Sequence, residues 1–326
     1  MRRDDIYKKY SIQLDLAVEA EEAVRGETGQ EISGVTQEVI THDKAKINRI
    51  EVTDKHAEKL MNKPMGNYIT IDAPEIKTNN KQVHDEISSL LALELERLIK
   101  IDESQTVLIV GLGNWHATPD ALGPKVVSHV LVTRHLGDHA PAELTQGLRP
   151  VCALSPGVLG ITGIETAEII KGVVDKVNPS LVIAIDALAS RSVKRIGTTI
   201  QIADTGINPG SGIGNKRIGI NKDSIGVPVI AVGIPTVVNA AIIAHDTVEA
   251  LITELAPTIP DIEDNVTSEK IAKSIDYVLS NFAKQLMVTP KEIDELTENS
   301  SKIIASSLTQ ALQPEISSDA NYLYLQ

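Results

Sequence analysis

The sequence predicts an α/β protein: a mostly parallel sheet sandwiched by helices, with an N-terminal elaboration of strands. Three observations carry this reading. Short runs of Val, Ile, Leu and Ala recur between amphipathic stretches. Aromatics make up only 2% of the chain, with one Phe and one Trp, so the core has to be aliphatic, which suits strands buried on both faces. From residue 106 onward, apolar run, loop and helix repeat in the manner of strands joined by helical crossovers.

Taken in order, VTQEVIT, KINRIEVT and NYITIDA between residues 35 and 73 alternate like strands, with a short helix over 55–61. KQVHDEISSLLALELERLIK follows, with Val83, Ile87, Leu91, Leu95 and Leu98 on one helical face. TVLIVGL is a buried strand, and the next helix carries Leu122, Val126, Val127, Val130 and Leu131 on one side. RPVCAL is a second strand of this part, and ETAEIIKGVVDKV a helix with Ile169, Ile170, Val173, Val174 and Val177 inward. LVIAIDAL, TTIQIA and VPVIAVG supply three more strands. The tail from about Asp261 reads as helical and polar, with a Ser-rich stretch over 299–307. No internal repeat or linker divides the 326 residues, so one α/β domain is the simplest organisation.

Composition narrows the function classes. A formal charge of −13 argues against a protein that coats nucleic acid directly. The N-terminus has no continuous apolar stretch of the secretory kind, and no run approaches the roughly 20 residues that cross a bilayer. Cys152 is the only cysteine, which excludes an internal disulfide and fits a reducing cytosol.

Sites in open α/β sheets lie outside the carboxyl ends of the strands. There the first strand of the repeating part delivers GLGNWHATPDALGP with Asp120, and VIAI delivers Asp186. Two carboxylates sharing one proton can activate a water and protonate a leaving amine. The residues alone leave a second reading open and make it the commoner one: an aspartate before a helix caps backbone N–H groups.

Other constellations carry less. Gly111 and Gly113 invite a nucleotide site, but His116 stands where a dinucleotide fingerprint needs glycine. His135 and His139 imitate a zinc helix, which Gly137 and Ala140-Pro141 end too early. Asp204-Thr205-Gly206 copies the pepsin-type triplet in the wrong fold context. Cys152 lies in a strand, where a free cysteine is an apolar filler. The loop 208–215, with Gly210, Gly212 and Gly214, reads either as a plain turn or as a flexible loop that brings N–H groups near a substrate.

VGLGNWHATPDALGPKVV, SPGVLGITGIETAEII, VNPSLVIAIDALASRSV, INPGSGIGNKR and VIAVGIPTVV, together with SIQLDLAVEA and LMVTPKEID, resemble the signature blocks of the spore germination proteases in order and over nearly the whole chain. The first block is also similar, more distantly, to the G-x-G-N-x-x-x-x-D motif of hydrogenase-maturation proteases, and the resemblance implies their compact α/β (phosphorylase/hydrolase-like) fold. It further implies an atypical aspartic endopeptidase that degrades the small acid-soluble proteins coating spore DNA. Asp120 and Asp186 match the catalytic aspartates. The resemblance implies no cofactor or metal, a homotetramer, a cytoplasmic location in the spore core, and a zymogen that sheds its propeptide by self-cleavage.

The substrates are cut beside an acidic residue followed by an apolar one and Ala, and Asp15-Leu16-Ala17-Val18-Glu19 is similar to that pattern. Residues 1–15 are therefore expected to be the propeptide, cut between Asp15 and Leu16, with 16–326 as the peptidase domain. An acidic substrate calls for basic residues, and Arg191, Arg195, Lys216 and Arg217 are the candidates; their alternative is solvated surface charge. Two other functions stay open: a metal-assisted peptidase on the same aspartates, and a non-catalytic binder of spore proteins.

Overall fold

The computed structural model describes residues 9–10, 12, 14–28, 31–137, 141, 147–210, 217–282 and 285–314. Besides single-turn helices, the chain runs α1 (Ala17–Thr28), β1 (Val35–Thr41), β2 (Lys46–Val52), α2 (Lys55–Met61), β3 (Gly66–Asp72), α3 (Lys81–Leu98), β4 (Val107–Gly111), α4 (Leu122–His129), β5 (Val151–Leu154), α5 (Thr166–Val177), β6 (Leu181–Ser190), β7 (Thr199–Ala203), β8 (Val229–Asn239), α6 (Ala240–Leu255), α7 (Ser268–Leu279), β9 (Met287–Val288) and α8 (Ile293–Leu312). Among these no helix is long and apolar enough to cross a membrane.

Among the described residues the nine strands form one sheet in the order β1-β2-β3-β7-β8-β6-β4-β5, with β9 beside β8. The sheet is mixed, which corrects the expectation of a mostly parallel one. β5, β4, β6 and β8 are parallel neighbours, whereas β1, β2, β3, β7 and β8 pair antiparallel in sequence along the sheet. The reason is connectivity. Helical crossovers return the chain in the same direction, but β1 and β2 turn back through a short hairpin, and β7 follows β6 after a brief loop. The N-terminal strands extend the same sheet.

Strand alternation sorts side chains onto the two faces. Val107 and Ile109 of β4, with Ile183 and Ile185 of β6, join α3, α4 and α8 in the main core. Leu108 and Val110 face α5 with Val182 and Ala184. Further along that second face, Leu16 and the α1 residues Ala17, Val18 and Ala20 pack on Ile50, Val52, Tyr68 and Leu188.

The polar-tail expectation is also corrected, for α8 is a core helix. Ser300, Ser301 and Ser307 are buried, and so is Asn299. Their small side chains let α8 approach α3, where the Ser88 hydroxyl donates to the Ile303 carbonyl at 3.3 Å. Ser307 and Thr309 donate to carbonyls one turn back within α8.

Candidate active site

β4 stops one residue before the site. Its last residue, Gly111, pairs with Ile185 of β6. β6 runs on for five more residues, so Asp186 projects past the end of β4 with Gly233 of β8 as its other neighbour. That extension turns a strand residue into a cleft residue. Asp186 is 5% exposed, and its Oδ1 accepts the Ala187 N–H at 2.9 Å.

The loop after β4 brings Asp120 to the same place. Gly111 and Gly123 touch closely: a Cβ on Gly111 would lie 2.2 Å from the Gly123 carbonyl oxygen. Gly113 has φ +110°, and a Cβ there would lie 2.0 Å from the Asp120 carbonyl oxygen. These glycines are therefore required for chain packing, which accounts for the G-x-G pattern without a nucleotide. The Asn114 N–H donates both to the Asp120 carbonyl, at 3.0 Å, and to its Oδ2, at 2.9 Å. Asp120 ends a short 3₁₀ turn, and α4 begins after Ala121 with no side-chain cap. The capping reading of Asp120 is not the one realised.

Both carboxyls hold protons more firmly than usual. Burial pushes Asp120 up to about 6, opposed by the Asn114 N–H. Burial pushes Asp186 well above the ordinary carboxylate range, the charges of Asp120 and then Asp15 push it further, and the Ala187 N–H opposes them. Asp186 thus feels the charge of Asp120, whereas the rise at Asp120 itself comes from burial.

Asp15 belongs to the same cleft of about 760 Å³, whose wall also includes Leu14, Lys63 and Gln201. Its Oδ2 accepts the Ala189 N–H at 2.9 Å. Its carbonyl oxygen accepts Lys63 Nζ at 2.6 Å and Gln201 Nε2 at 3.0 Å. The other end of the same amide, Gln201 Oε1, accepts the Ala17 N–H at 2.5 Å. Leu16 and Ala17 are fully buried, and α1 starts just beyond the expected cut bond.

The expected basic residues are placed differently. Arg191 and Arg195 surround Glu19 rather than Asp15: the Arg191 N–H donates to both Glu19 carboxylate oxygens at 3.0–3.1 Å. The Arg195 guanidinium lies 3.2 Å from Glu19 and 2.8 Å from Glu22. Arg217 lies 3.4 Å from Glu165. Gly210 lines the cleft, while Gly212, Gly214 and Lys216 fall outside the described residues, as do Asp138 and His139.

The minor motifs resolve into packing. Asp204 accepts the Asn67 N–H at 2.8 Å and its side-chain amide at 2.7 Å. The half-buried Cys152 thiol faces the Val107 carbonyl at 3.6 Å, and burial pushes its pKa up. Among the described residues no three His, Cys, Asp or Glu side chains are grouped to hold a metal ion.

Lys63 and Gln201 are what the sequence reading missed. Lys63 follows Asn62, which ends α2 in the left-handed conformation at φ 50° and turns the chain into the cleft. Burial lowers the Lys63 pKa, opposed by the charges of Asp15 and Glu19. Gln201 alternates with Ile200 and Ile202, which face the main core, so its amide points to the α1 side. One polar residue inside the strand TTIQIA was the available signal.

A family model described as germination protease matches residues 13–272 and 258–325. The germination protease of Clostridium tetani is 46% identical over 313 residues, 94% of this chain and 97% of that relative. That of Caldanaerobacter subterraneus is 48% identical over 309 residues, 93% and 94% of the two chains. That of Bacillus subtilis is 41% identical over 353 residues, covering 95% and 96%.

Proposed function

The chain belongs to the germination protease family and is a peptidase, and on that footing we propose that it is a self-cleaving zymogen that cuts itself between Asp15 and Leu16. Its substrates in trans are small acid-soluble spore proteins, in the spore core, and it works as a homotetramer. The observation that carries the reading is the seat of Asp15: the residue expected before the cut shares one cleft with Asp120 and Asp186 and acts on the charge of Asp186.

The surroundings of the segment favour the same specificity. The acidic side chain meets the Ala189 N–H. Leu16 enters a fully apolar pocket of the second face. Ala17 is buried completely, with its N–H on Gln201 and its side chain in the same apolar cluster as Leu16. Acid, apolar residue and alanine each have a matching surface. Arg191 and Arg195 recognise an acid four positions beyond the cut, the place Glu19 takes. The finer fold reading, the hydrogenase-maturation-like sandwich, is supported by the G-L-G-N loop at the end of a parallel strand and applies to the β5-β4-β6-β8 half.

The pair works with one proton. The ionised carboxyl takes a proton from a water held between Asp120 and Asp186, and the water oxygen adds to the Asp15 carbonyl carbon. The protonated carboxyl gives its proton to the Leu16 nitrogen as the C–N bond breaks. One proton enters the pair and one leaves, so it ends as it began. Because both carboxyls are pushed up, the pair keeps its proton nearer neutrality than ordinary carboxylates do.

Intact mass over time at about pH 6, near the value to which Asp120 is pushed, tests the proposal. Wild type is expected to lose residues 1–15, and Asp120→Asn to keep them. Loss in both variants places the chemistry elsewhere, and loss in neither favours a binder that does not cut. Self-cleavage that stops with a chelator and returns with a divalent cation would replace the metal-free pair by a metal-assisted one.

A further inference from the structure

The proton accounting leaves one charge without a partner. When water adds to the Asp15 carbonyl, the C=O π electrons move onto oxygen. One carboxyl is then taking the water's proton and the other is committed to the leaving nitrogen, so neither neutralises that oxygen. The cleft makes the problem worse, because three aspartates already face it. An oxyanion in such a place forms only where donors are already aimed at it.

We propose that Lys63 Nζ and Gln201 Nε2 form the oxyanion hole of this enzyme, a proposal that rests on the reading of Asp15–Leu16 as the bond that is cut. Both atoms already touch the oxygen concerned: Gln201 Nε2 at 3.0 Å, in the range expected of oxyanion donors, and Lys63 Nζ closer still at 2.6 Å. Lys63 brings a positive charge onto the carbonyl oxygen in a cleft that three aspartates line. Gln201 brings geometry: its amide is clamped from both ends, its Nε2 on the carbonyl before the bond and its Oε1 on the Ala17 N–H beyond it. With Nε2 pointing at the carbonyl, the donor end of the amide is fixed and spans the bond.

Each donor sits on a rigid support. Lys63 is fixed by the left-handed stop of α2, where its N–H donates to the Glu58 carbonyl at 3.2 Å. Gln201 is in the middle of β7, paired with both β3 and β8. The hole therefore unites the two halves of the sheet. The aspartates come from the parallel half and the oxyanion donors from the antiparallel half and its helix.

A purely structural alternative has Lys63 holding the Asp15 carboxylate. A mutant cycle on self-cleavage of the full chain, followed by intact mass, separates the two. Lys63→Met is expected to slow cleavage by about 10²- to 10³-fold, and by the same factor in an Asp15→Asn background. Gln201→Leu is expected to slow it about 10- to 100-fold, as the neutral donor. Hydrogen exchange of residues 14–17 should stay protected in Lys63→Met.

Lys63→Arg should restore much of the rate and move the alkaline limb of the pH profile upward, since a guanidinium does not deprotonate there. A slow Lys63→Met rate confined to the Asp15 background, or accompanied by loss of protection at 14–17, overturns the oxyanion role. A wild-type rate in Lys63→Met while Asp120→Asn is silent overturns this inference and leaves the aspartate pair standing. Cleavage by Asp120→Asn overturns the pair itself.

Discussion

Two charged clusters lie two residues apart along the extension of β6, and they are built on opposite principles. At Ala189 the strand N–H holds Asp15, in a cleft where Asp186 meets the charges of Asp120 and Asp15. At Arg191, just past the end of β6, the backbone N–H holds Glu19, and there the Arg195 guanidinium answers both Glu19 and Glu22. The backbone device is the same in both places. The difference is that the second cluster has its countercharge on the carboxylates and the first has its cation, Lys63, on a carbonyl oxygen. Carboxyls buried beside like charges cost stability and gain reactivity; those gripped by a guanidinium hold a helix in place.

The largest expected effect breaks the first cluster. Asp186→Asn or Asp120→Asn should reduce self-cleavage by about 10⁴-fold or more, the scale on which loss of a central catalytic group acts. The same changes should raise stability above neutral pH. A carboxyl whose folded pKa is raised binds its proton more tightly folded than unfolded. Its contribution is intact below the unfolded value of 3.8 and is lost as pH rises through the folded value, about 6 for Asp120. At pH 8 that loss amounts to at most about 3 kcal/mol, so Asp120→Asn should melt higher than wild type at pH 8 and about equally at pH 4. Inactivity combined with a lower melting point at pH 8 would mean that Asp120 supports the fold rather than the reaction.

The second cluster should respond the other way. Arg195→Met leaves Glu19 buried without its cation, a change that costs about 3 kcal/mol in buried pairs. Burial already pushes Glu19 up to about 7, against the pull of the Arg191 N–H and Arg195. Its escape is to take a proton, so the penalty should be larger at pH 8 than at pH 6. Urea unfolding at the two pH values checks this. A penalty independent of pH would show that Arg195 acts through the packing of its stem rather than through its charge.

How much of this was written plainly in the sequence follows the same division. The positions of Asp186, after the run VIAI, and Asp120, between a glycine-bearing strand end and a helix, were legible, but pattern alone favoured capping and only the resemblance pointed to catalysis. Helix α2 and the strands on either side of it were legible from period-2 and period-3.6 patterns. The mixed sheet was not, since an apolar run such as TTIQIA looks the same in either direction and only the neighbouring strand decides. The burial of Ser301 and Ser307 was hidden because small polar side chains that bond to their own helix pack like alanine. Lys63 was hidden for a different reason, because its partner is a backbone carbonyl, which leaves no mark on side-chain composition, while Gln201 left only its single polar letter inside TTIQIA.

The smallest effect tests how sharply the reactive cluster is bounded. Asp204 sits close to it, because Thr205 and Gly206 line the cleft, and it carries the triplet of a different protease class. Its carboxylate, however, is taken up by the Asn67 N–H and side chain, and it is exposed, so each bond is worth about 0.5–1.5 kcal/mol at most. Asp204→Ala should lower stability by about 1 kcal/mol, through a looser junction of β3 and β7, and leave the self-cleavage rate within about twofold of wild type. The comparison with Asp186 is direct: both are aspartates bonded to a backbone N–H at the edge of one cleft, and only the one buried among other carboxyls should carry chemistry. If cleavage by Asp204→Ala collapses while its unfolding midpoint stays within that 1 kcal/mol, burial among like charges is not what selects the catalytic aspartates, and the cluster extends around the cleft to β7.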